Sequence, residues 1–366
     1  MKKIIATLSL FSIIYFLPFV ANAQEEIVPE TIETRAVVET IIEEQLEPAD
    51  EAYQVVTVRV QSQGIMNNRL FTVDSRQGYT AGLRYQVSEG QQVQIALVEI
   101  PNETEPIVFI TDVIRLSPLM WLLIIFVFIA LIVGLLRGFT SLLGLGVIML
   151  VLFGFILPQI LNGQNPVLIT LIGSAVIVAF SIFVTHGFKR SSLAAFLGTL
   201  AGLVITGVLA SLFVDIAQLT GLASDEAAIL QLKTGLEFDM KGLLLAAIII
   251  GALGVLDDIT VTQSETVFEL QRTDPSLSKT ELIRRSMRIG RHHIASVVNT
   301  LVLAYAGASL PLLLLFIASD QNTLDLINSE IIAEEIVRTL VGTIGLILSV
   351  PIATWFAALF VIRKNS

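Results

Sequence analysis

Leu119-Met-Trp-Leu-Leu-Ile-Ile-Phe-Val-Phe-Ile-Ala-Leu-Ile-Val-Gly-Leu-Leu136 runs for eighteen residues without a charged side chain. At about 1.5 Å per helical residue this stretch spans roughly 27 Å, close to the ~30 Å hydrocarbon core of a bilayer, so it predicts a transmembrane helix. Comparable runs near 141–161, 166–185, 193–214, 242–262, 294–317 and 338–361 bring the expected number of spans to seven. Composition agrees, with 54% hydrophobic and 15% charged residues and a mean hydropathy of +0.80; a soluble domain carries nearer ~25% charge. The expected fold is a polytopic α-helical membrane protein with a small all-β domain ahead of it.

Everything before this run reads differently. Met1-Lys-Lys, the apolar stretch 4–20 and the small residues Ala21-Asn22-Ala23 have the layout of a secretion signal, so 1–23 is predicted to be cleaved before Gln24; an uncleaved anchor helix is the alternative. Residues 24–118 hold 16 Asp and Glu, six Arg and no Lys, a balance of −10 that equals the formal charge of the whole chain. Of these, 24–52 is rich in Glu and nearly free of aromatics, which predicts a flexible acidic leader. From Tyr53 the pattern alternates, with Val56, Val58 and Val60 set against Thr57, Arg59 and Gln61. Phe71-Thr72-Val73, Tyr85-Gln86-Val87, Gln92 to Leu97 and Ile107 to Ile110 continue it. That period of two predicts a barrel or sandwich of about five or six strands over 53–118.

Charge then sets the orientation. With residue 118 outside, 11 of the 14 basic residues after it fall on the cytoplasmic side: Arg137, Lys189, Arg190, the six from Arg272 to Arg291, Arg363 and Lys364. The outer connections 215–241 and 318–337 hold ten of the 16 acidic residues of this part. The positive-inside rule therefore predicts an extracytoplasmic β-domain, a membrane domain over 119–362 and a cytoplasmic tail at 363–366.

Three stretches carry polar groups that lipid-facing helices do not need. In Gly251-Ala-Leu-Gly-Val-Leu-Asp257-Asp258-Ile-Thr-Val-Thr-Gln-Ser-Glu265-Thr-Val-Phe-Glu269-Leu270, helical spacing puts Asp258, Thr262, Glu265 and Glu269 on one face. An ionisable group inside a span costs about 2.5–3.5 kcal/mol on insertion scales, which points to a protein interior or a water pathway. Asp258 is the candidate functional residue, and Asp257, about 100° away, is expected to meet headgroups. The plain alternative is that both aspartates mark the cytoplasmic end of the span. In the second stretch, Arg284-Arg-Ser-Met-Arg288-Ile-Gly-Arg291 fits contact with anionic lipid heads, or else Arg288 or Arg291 neutralises the preceding carboxylates. Asn299 and Thr300, further along, need partners inside the membrane and are candidates to face Asp258. His292-His293 point apart on a helix and predict no metal site. In the third, Glu334 and Arg338 predict an ion pair. Gly342 and Gly345, Gly198-x-x-x-Gly202 and Gly134-x-x-x-Gly138 predict close helix packing.

Gly251 to Leu270, Gly290-Arg291 through Asn299-Thr300-Leu-Val-Leu-Ala-Tyr305 to Ser309-Leu310-Pro311, and Glu335 through Arg338-Thr-Leu-Val-Gly342 to Pro351 resemble the YibE/F family of bacterial multi-pass membrane proteins. The resemblance covers roughly 119–362, with order and spacing kept, and implies a place in the bacterial cell membrane rather than a reaction. In that family a Gly-rich span ends in a single Asp, which falls on Asp258; Asp257 and His292-His293 depart from the pattern. The last three spans bear a weaker, fold-level likeness to SecD, SecF and the resistance-nodulation-division transporters, which couple proton movement to work through intramembrane charges.

The absence of cysteine excludes disulfides, Cys-ligated zinc, iron–sulfur clusters and a catalytic thiol. No phosphate-binding loop, Ser-His-Asp order or His-Glu-x-x-His occurs, and the basic residues serve topology rather than a nucleic-acid surface. No catalytic residue, cofactor or metal ligand is assigned. The expected partners are the lipid bilayer and other copies or envelope proteins. The expected function is a transporter or permease component, proton-coupled if Asp258 titrates within the membrane, with Asp257, Glu265, Asn299, Thr300 and Arg291 around it. A non-transporting envelope assembly or regulatory protein whose β-domain binds a partner is the alternative, and a membrane-embedded enzyme the third class.

Overall fold

The computed structural model describes residues 31–45, 53–61, 67–76, 86–98, 106–234, 239–319 and 322–361, so the expected signal 1–23 and tail 363–366 lie outside the described residues. The chain divides into two compact units, Met1–Ile125 and Phe126–Ser366.

The first unit holds an antiparallel sheet of β1 (Thr31–Gln45), β2 (Tyr53–Val60), β3 (Leu70–Asp74), β4 (Gln92–Val98) and β5 (Ile107–Val113) in the order β3-β2-β1-β4-β5. β1 is its centre, pairing with β4 from Thr31 to Val37 and with β2 from Ala36 to Gln45. The leader expected over 24–52 is therefore wrong for 31–45. Ala36 and Val38 are fully buried in this strand, while its glutamates bond across the ladder. Arg59 Nε donates to Glu39 Oε1 at 2.5 Å, Tyr53 Oη to Glu43 Oε1 at 2.6 Å, and Gln94 Nε2 to Glu33 Oε2 at 2.9 Å. The Arg59 bond holds the Glu39 carboxyl below its ordinary range. Register shifts at Val38/Thr40, Ile41/Glu43 and Gln94/Ile95 bend the sheet into a half-barrel. Its core is built from residues such as Val56, Val58, Ile95 and Leu97. Gln86-Val87, expected to continue the strand pattern, is irregular. Buried Gln54 pins it, accepting from Val87 N at 2.9 Å and donating to Val87 O at 3.1 Å.

In the second unit α1 (Leu116–Val151), which starts in the first, a π-turn (Leu152–Ile156) and α2 (Leu157–Leu161) form one apolar run. There follow α3 (Pro166–His186), α4 (Arg190–Ile216), α5 (Asp225–Thr234), α6 (Met240–Thr273), α7 (Lys279–Ala308), α8 (Leu310–Ala318), α9 (Thr323–Ile327) and α10 (Glu330–Phe360). Among the described residues five runs are long and apolar enough to cross a bilayer: Leu116–Leu161, α3, α4, α6 and α10. A sixth results if α7 and α8, bent by 66°, count as one. Pro311 explains that bend, because its ring lacks the helical N–H and clashes with the preceding turn. Leu116–Leu161 is not straight either. Leu135 has φ 50° and ψ −131°, and the chain folds back until the Ala130 carbonyl occupies the place a Cβ on Gly138 would need. The stretches 119–136 and 141–161 flank this break. Trp121, Leu122, Phe128, Ile132 and Leu136 are all exposed on the first limb, an apolar surface suited to lipid rather than water.

α4, α6 and α10 form the core, and their contacts fix direction. Thr199 with Thr260, Ser191 with Glu265 and Gly202 with Leu256 set α4 and α6 antiparallel. Gly198 with Ala353, Gly202 with Ser349 and Gly345 with Thr206 do the same for α4 and α10. Pro166 with Gly242 and Ser181 with Asp257 keep one offset, so α3 and α6 are parallel. Tyr305 against Gly251 and Gly290 against Gln263 make α7 antiparallel to α6. Successive long helices thus alternate in direction, as bilayer spans must. Gly198, Gly202 and Gly345 pack as expected, whereas Gly134 meets nothing within 4 Å and Gly342 touches Ala252 and Tyr305 at 3.9 and 4.0 Å; three residues from Gly345, it stands about 60° off the contact line. The expected Glu334–Arg338 pair is replaced: Arg338 reaches Glu335 at 2.7 Å, and Glu334 Oε1 is buried without a partner among the described residues.

Two measurements check this packing. Gly345→Ala places a methyl on Thr206 and should cost about 1–3 kcal/mol, seen as earlier thermal unfolding of the purified chain. Gly307→Ala, with no atom within 4 Å, should be neutral or slightly stabilising; equal effects would contradict the contact. A fragment of residues 28–116 should give a β-type circular dichroism spectrum, whereas one starting at Tyr53 lacks the central strand and should not.

Candidate functional site

Asp239 caps α6, accepting from Gly242 N at 2.8 Å, and the first half of the helix is built of Gly, Ala, Ile and Leu, so it packs closely on α3 and α4. Polar side chains enter at Asp257. Ser181 Oγ of α3 donates to Asp257 Oδ2 at 2.7 Å, while Asp257 Oδ1 is buried with no partner among the described residues. One turn on, Thr260 Oγ1 donates to the Asp257 carbonyl at 3.1 Å and lies 2.6 Å from Thr199 Oγ1 of α4. Ser264 is fully buried with an unpartnered hydroxyl, and Ser191 Oγ donates to Glu265 Oε1 at 2.7 Å. A second buried cluster joins α6, α7 and α10, where Gln263 Nε2 donates to Thr354 Oγ1 at 2.7 Å and to the Ser286 carbonyl at 3.2 Å.

The expected placements of the two aspartates are reversed. Asp258 is exposed, and Asp257 is the half-buried residue facing α3. Leu253, Leu256, Thr260, Ser264 and Val267 define the buried face of α6. Asp257 stands at the edge of that face, and the next 100° step carries Asp258 off it. Thr262 and Glu269 are exposed as well, with Glu269 paired to Arg272 at 2.9 Å, and Glu265 leaves the expected row to meet Ser191. Asn299 and Thr300 are exposed on α7, where Thr300 Oγ1 donates to the Ser296 carbonyl at 3.1 Å; they do not join the aspartates. Arg291 is exposed and donates to the Met287 carbonyl of its own helix at 3.3 Å. Arg285 pairs with Glu281 at 2.8 Å and with Asp274 at 3.8 Å, and Arg284 with Glu281 at 2.5 Å. Arg285 and then Arg284 hold the Glu281 carboxyl below its ordinary range.

Both aspartates line an open groove of about 730 Å³ between α1, α3 and α6. Ser181, Thr185 and His186 come from α3, Gly254 and Val261 from α6, and the apolar wall from α1. A smaller pocket of about 170 Å³ meets Asp257 nearer the N-terminal ends of α3 and α6, lined by Ile148, Leu152, Ile156, Ile177, Ile250 and Leu253. Ile156, in the π-turn, seats on Gly173, where a Cβ would come within 2.5 Å of its side chain; such turns often mark functional positions. Asp257 therefore meets the groove at the C-terminal end of α3 and the middle of α6 and is walled by aliphatic side chains toward the N-terminal ends.

Ser181, His186, Thr199 and Thr260 were not among the expected site residues. A signal existed: Thr170, Ser174 and Ser181 fall within about 40° of one another on α3, a polar stripe in an apolar span.

No curated protein and no solved structure matches the chain. The family model of YibE/F-like proteins matches residues 122–363, well over half of the sequence and nearly all of the helical unit, including α6, α7 and α10 with their buried polar groups. The chain belongs to the YibE/F-like family.

Proposed function

We propose that this protein is a transporter of the bacterial cell membrane in which Asp257 takes up and releases a proton as the groove admits and releases a substrate. The observation that carries the reading is Asp257 Oδ1, a carboxyl oxygen buried without a donor among the described residues, beside an open groove. An unpaired carboxylate oxygen in a protein interior is costly, and a proton satisfies it. Oδ2 keeps its bond from Ser181 in either form, so the carboxyl exchanges a proton without losing its position.

Coupling requires Asp257 to face the two sides in turn. The groove supports access from one side, and the aliphatic wall of Leu152, Ile156, Ile177 and Ile250 supports closure on the other; the π-turn is the element placed to move. The break at Leu135 divides Leu116–Leu161 into two spans, giving seven in all. With the β-domain extracytoplasmic and the carboxyl end cytoplasmic, the groove opens to the cytoplasm, in keeping with the 11 of 14 basic residues assigned to that side.

Dicyclohexylcarbodiimide, which reacts with protonated carboxyls in apolar surroundings, should modify Asp257, with a yield that falls as pH rises and vanishes in Asp257→Asn. Asp258→Asn should leave that labelling within about twofold, since Asp258 is exposed and any field effect on its neighbour is modest. Modification of Asp258 instead, or none at Asp257 while Asp257→Asn folds normally, would shift the reading to an envelope scaffold acting through its β-domain. For orientation, a cysteine at Thr323 should react with an impermeant maleimide from outside intact cells, and one at Ser278 only after permeabilisation; the converse result reverses the topology.

A further inference from the structure

The groove has a chemistry that narrows its substrate. Its charge lies on the α3 and α6 side, where Asp257, Asp258 and His186 line it, and no Lys or Arg lines it among the described residues. The opposite wall is hydrocarbon from α1, with Phe126, Ile129, Val133 and Leu145 along it. Between them Gly144 and Gly254 keep the walls recessed, since the Cβ position of each has no atom within 4 Å. The volume of about 730 Å³ falls in the range of roughly 300–1,000 Å³ that encloses a small organic ligand.

These features exclude whole classes. Two adjacent carboxyls repel an anion. A hydrated metal ion gains nothing from an apolar wall and must shed water to approach it. A neutral apolar molecule offers the Asp257 carboxylate no partner and so does not compete with the proton. A cation attached to an apolar body satisfies both ends at once.

We propose that the groove binds an amphipathic organic cation, its charged centre at the Asp257 carboxyl and its body along the α1 wall, in competition with a proton. This names the substrate class of the transport reading above and rests on it. The charge balances if one monovalent cation leaves for each proton that arrives. The titratable groups facing Asp257 are His186 on α3 and Asp258 on α6, and the α1 wall contributes none. A proton taken up by Asp257 therefore removes the charge that holds the cation.

The test uses the full chain in detergent, without a gradient, and tetraphenylphosphonium as probe. Saturable binding near one per chain is expected, weakening as pH falls and weakened about tenfold or more in Asp257→Asn, the scale on which a close charge pair in a partly dry site is felt. Gly254→Leu, which narrows the groove while keeping both acids in the chain, should weaken binding while carbodiimide still labels Asp257. The proposal is overturned if uncharged tetraphenylmethane derivatives displace the probe equally well, if binding ignores pH, or if both variants bind like the parent. Carbodiimide labelling of Asp257 without probe binding would sink the substrate class and leave the transport reading standing; absence of labelling would remove the reading itself.

Discussion

A carboxyl oxygen with no donor, Asp257 Oδ1, persists in this fold because the helices beside it are held by contacts that do not involve it. Gly202 lets Leu256 of α6 settle on α4, and Gly198 and Gly345 bring α10 onto the same helix. Gln263, through Thr354 and Ser286, fastens the lower part of α6 to α10 and α7. With α6 held on three sides, α3 packs against its apolar half and reaches Asp257 through the hydrogen bond from Ser181. The cost of the unpaired oxygen is carried by packing elsewhere, which is how strained or unsatisfied groups are retained at working sites.

That seam explains which parts of the fold could be read from the residues and which could not. The long apolar runs mark the long helices, and the alternation from Tyr53 onward marks the buried face of the sheet. β1 escaped because Glu33, Glu39, Glu43 and Glu44 dominate the composition of a strand whose inward residues are as small as Ala36 and Val38. On α6 the failure is one of phase. Its buried face includes Thr260, Gln263 and Ser264, so hydrophobic periodicity does not mark the interior, and an error of one residue exchanges Asp257 for Asp258. The small-residue spacing on α4 was legible because glycine at i and i+4 has few other uses in a span.

Breaks were harder to place than spans. Pro311 was visible, yet the bend it causes cuts through a stretch that hydropathy alone reads as one span, 294–317. The turn at Leu135 lies two residues before Arg137, the charge that separates the first two apolar runs, and depends on a backbone conformation that the sequence around Gly134 and Gly138 only permits. In both places the chain departs from regular helix within an apolar region, where freed backbone groups must find partners inside the protein.

The account turns on Asp257 exchanging a proton in place. Infrared difference spectroscopy of the membrane-reconstituted chain across a pH titration reads this directly, through the carbonyl stretch of a protonated carboxylic acid. A band that appears on acidification, disappears in Asp257→Asn and persists in Asp258→Asn is the predicted result. A band that follows Asp258 instead, or a difference spectrum indifferent to Asp257, would contradict it.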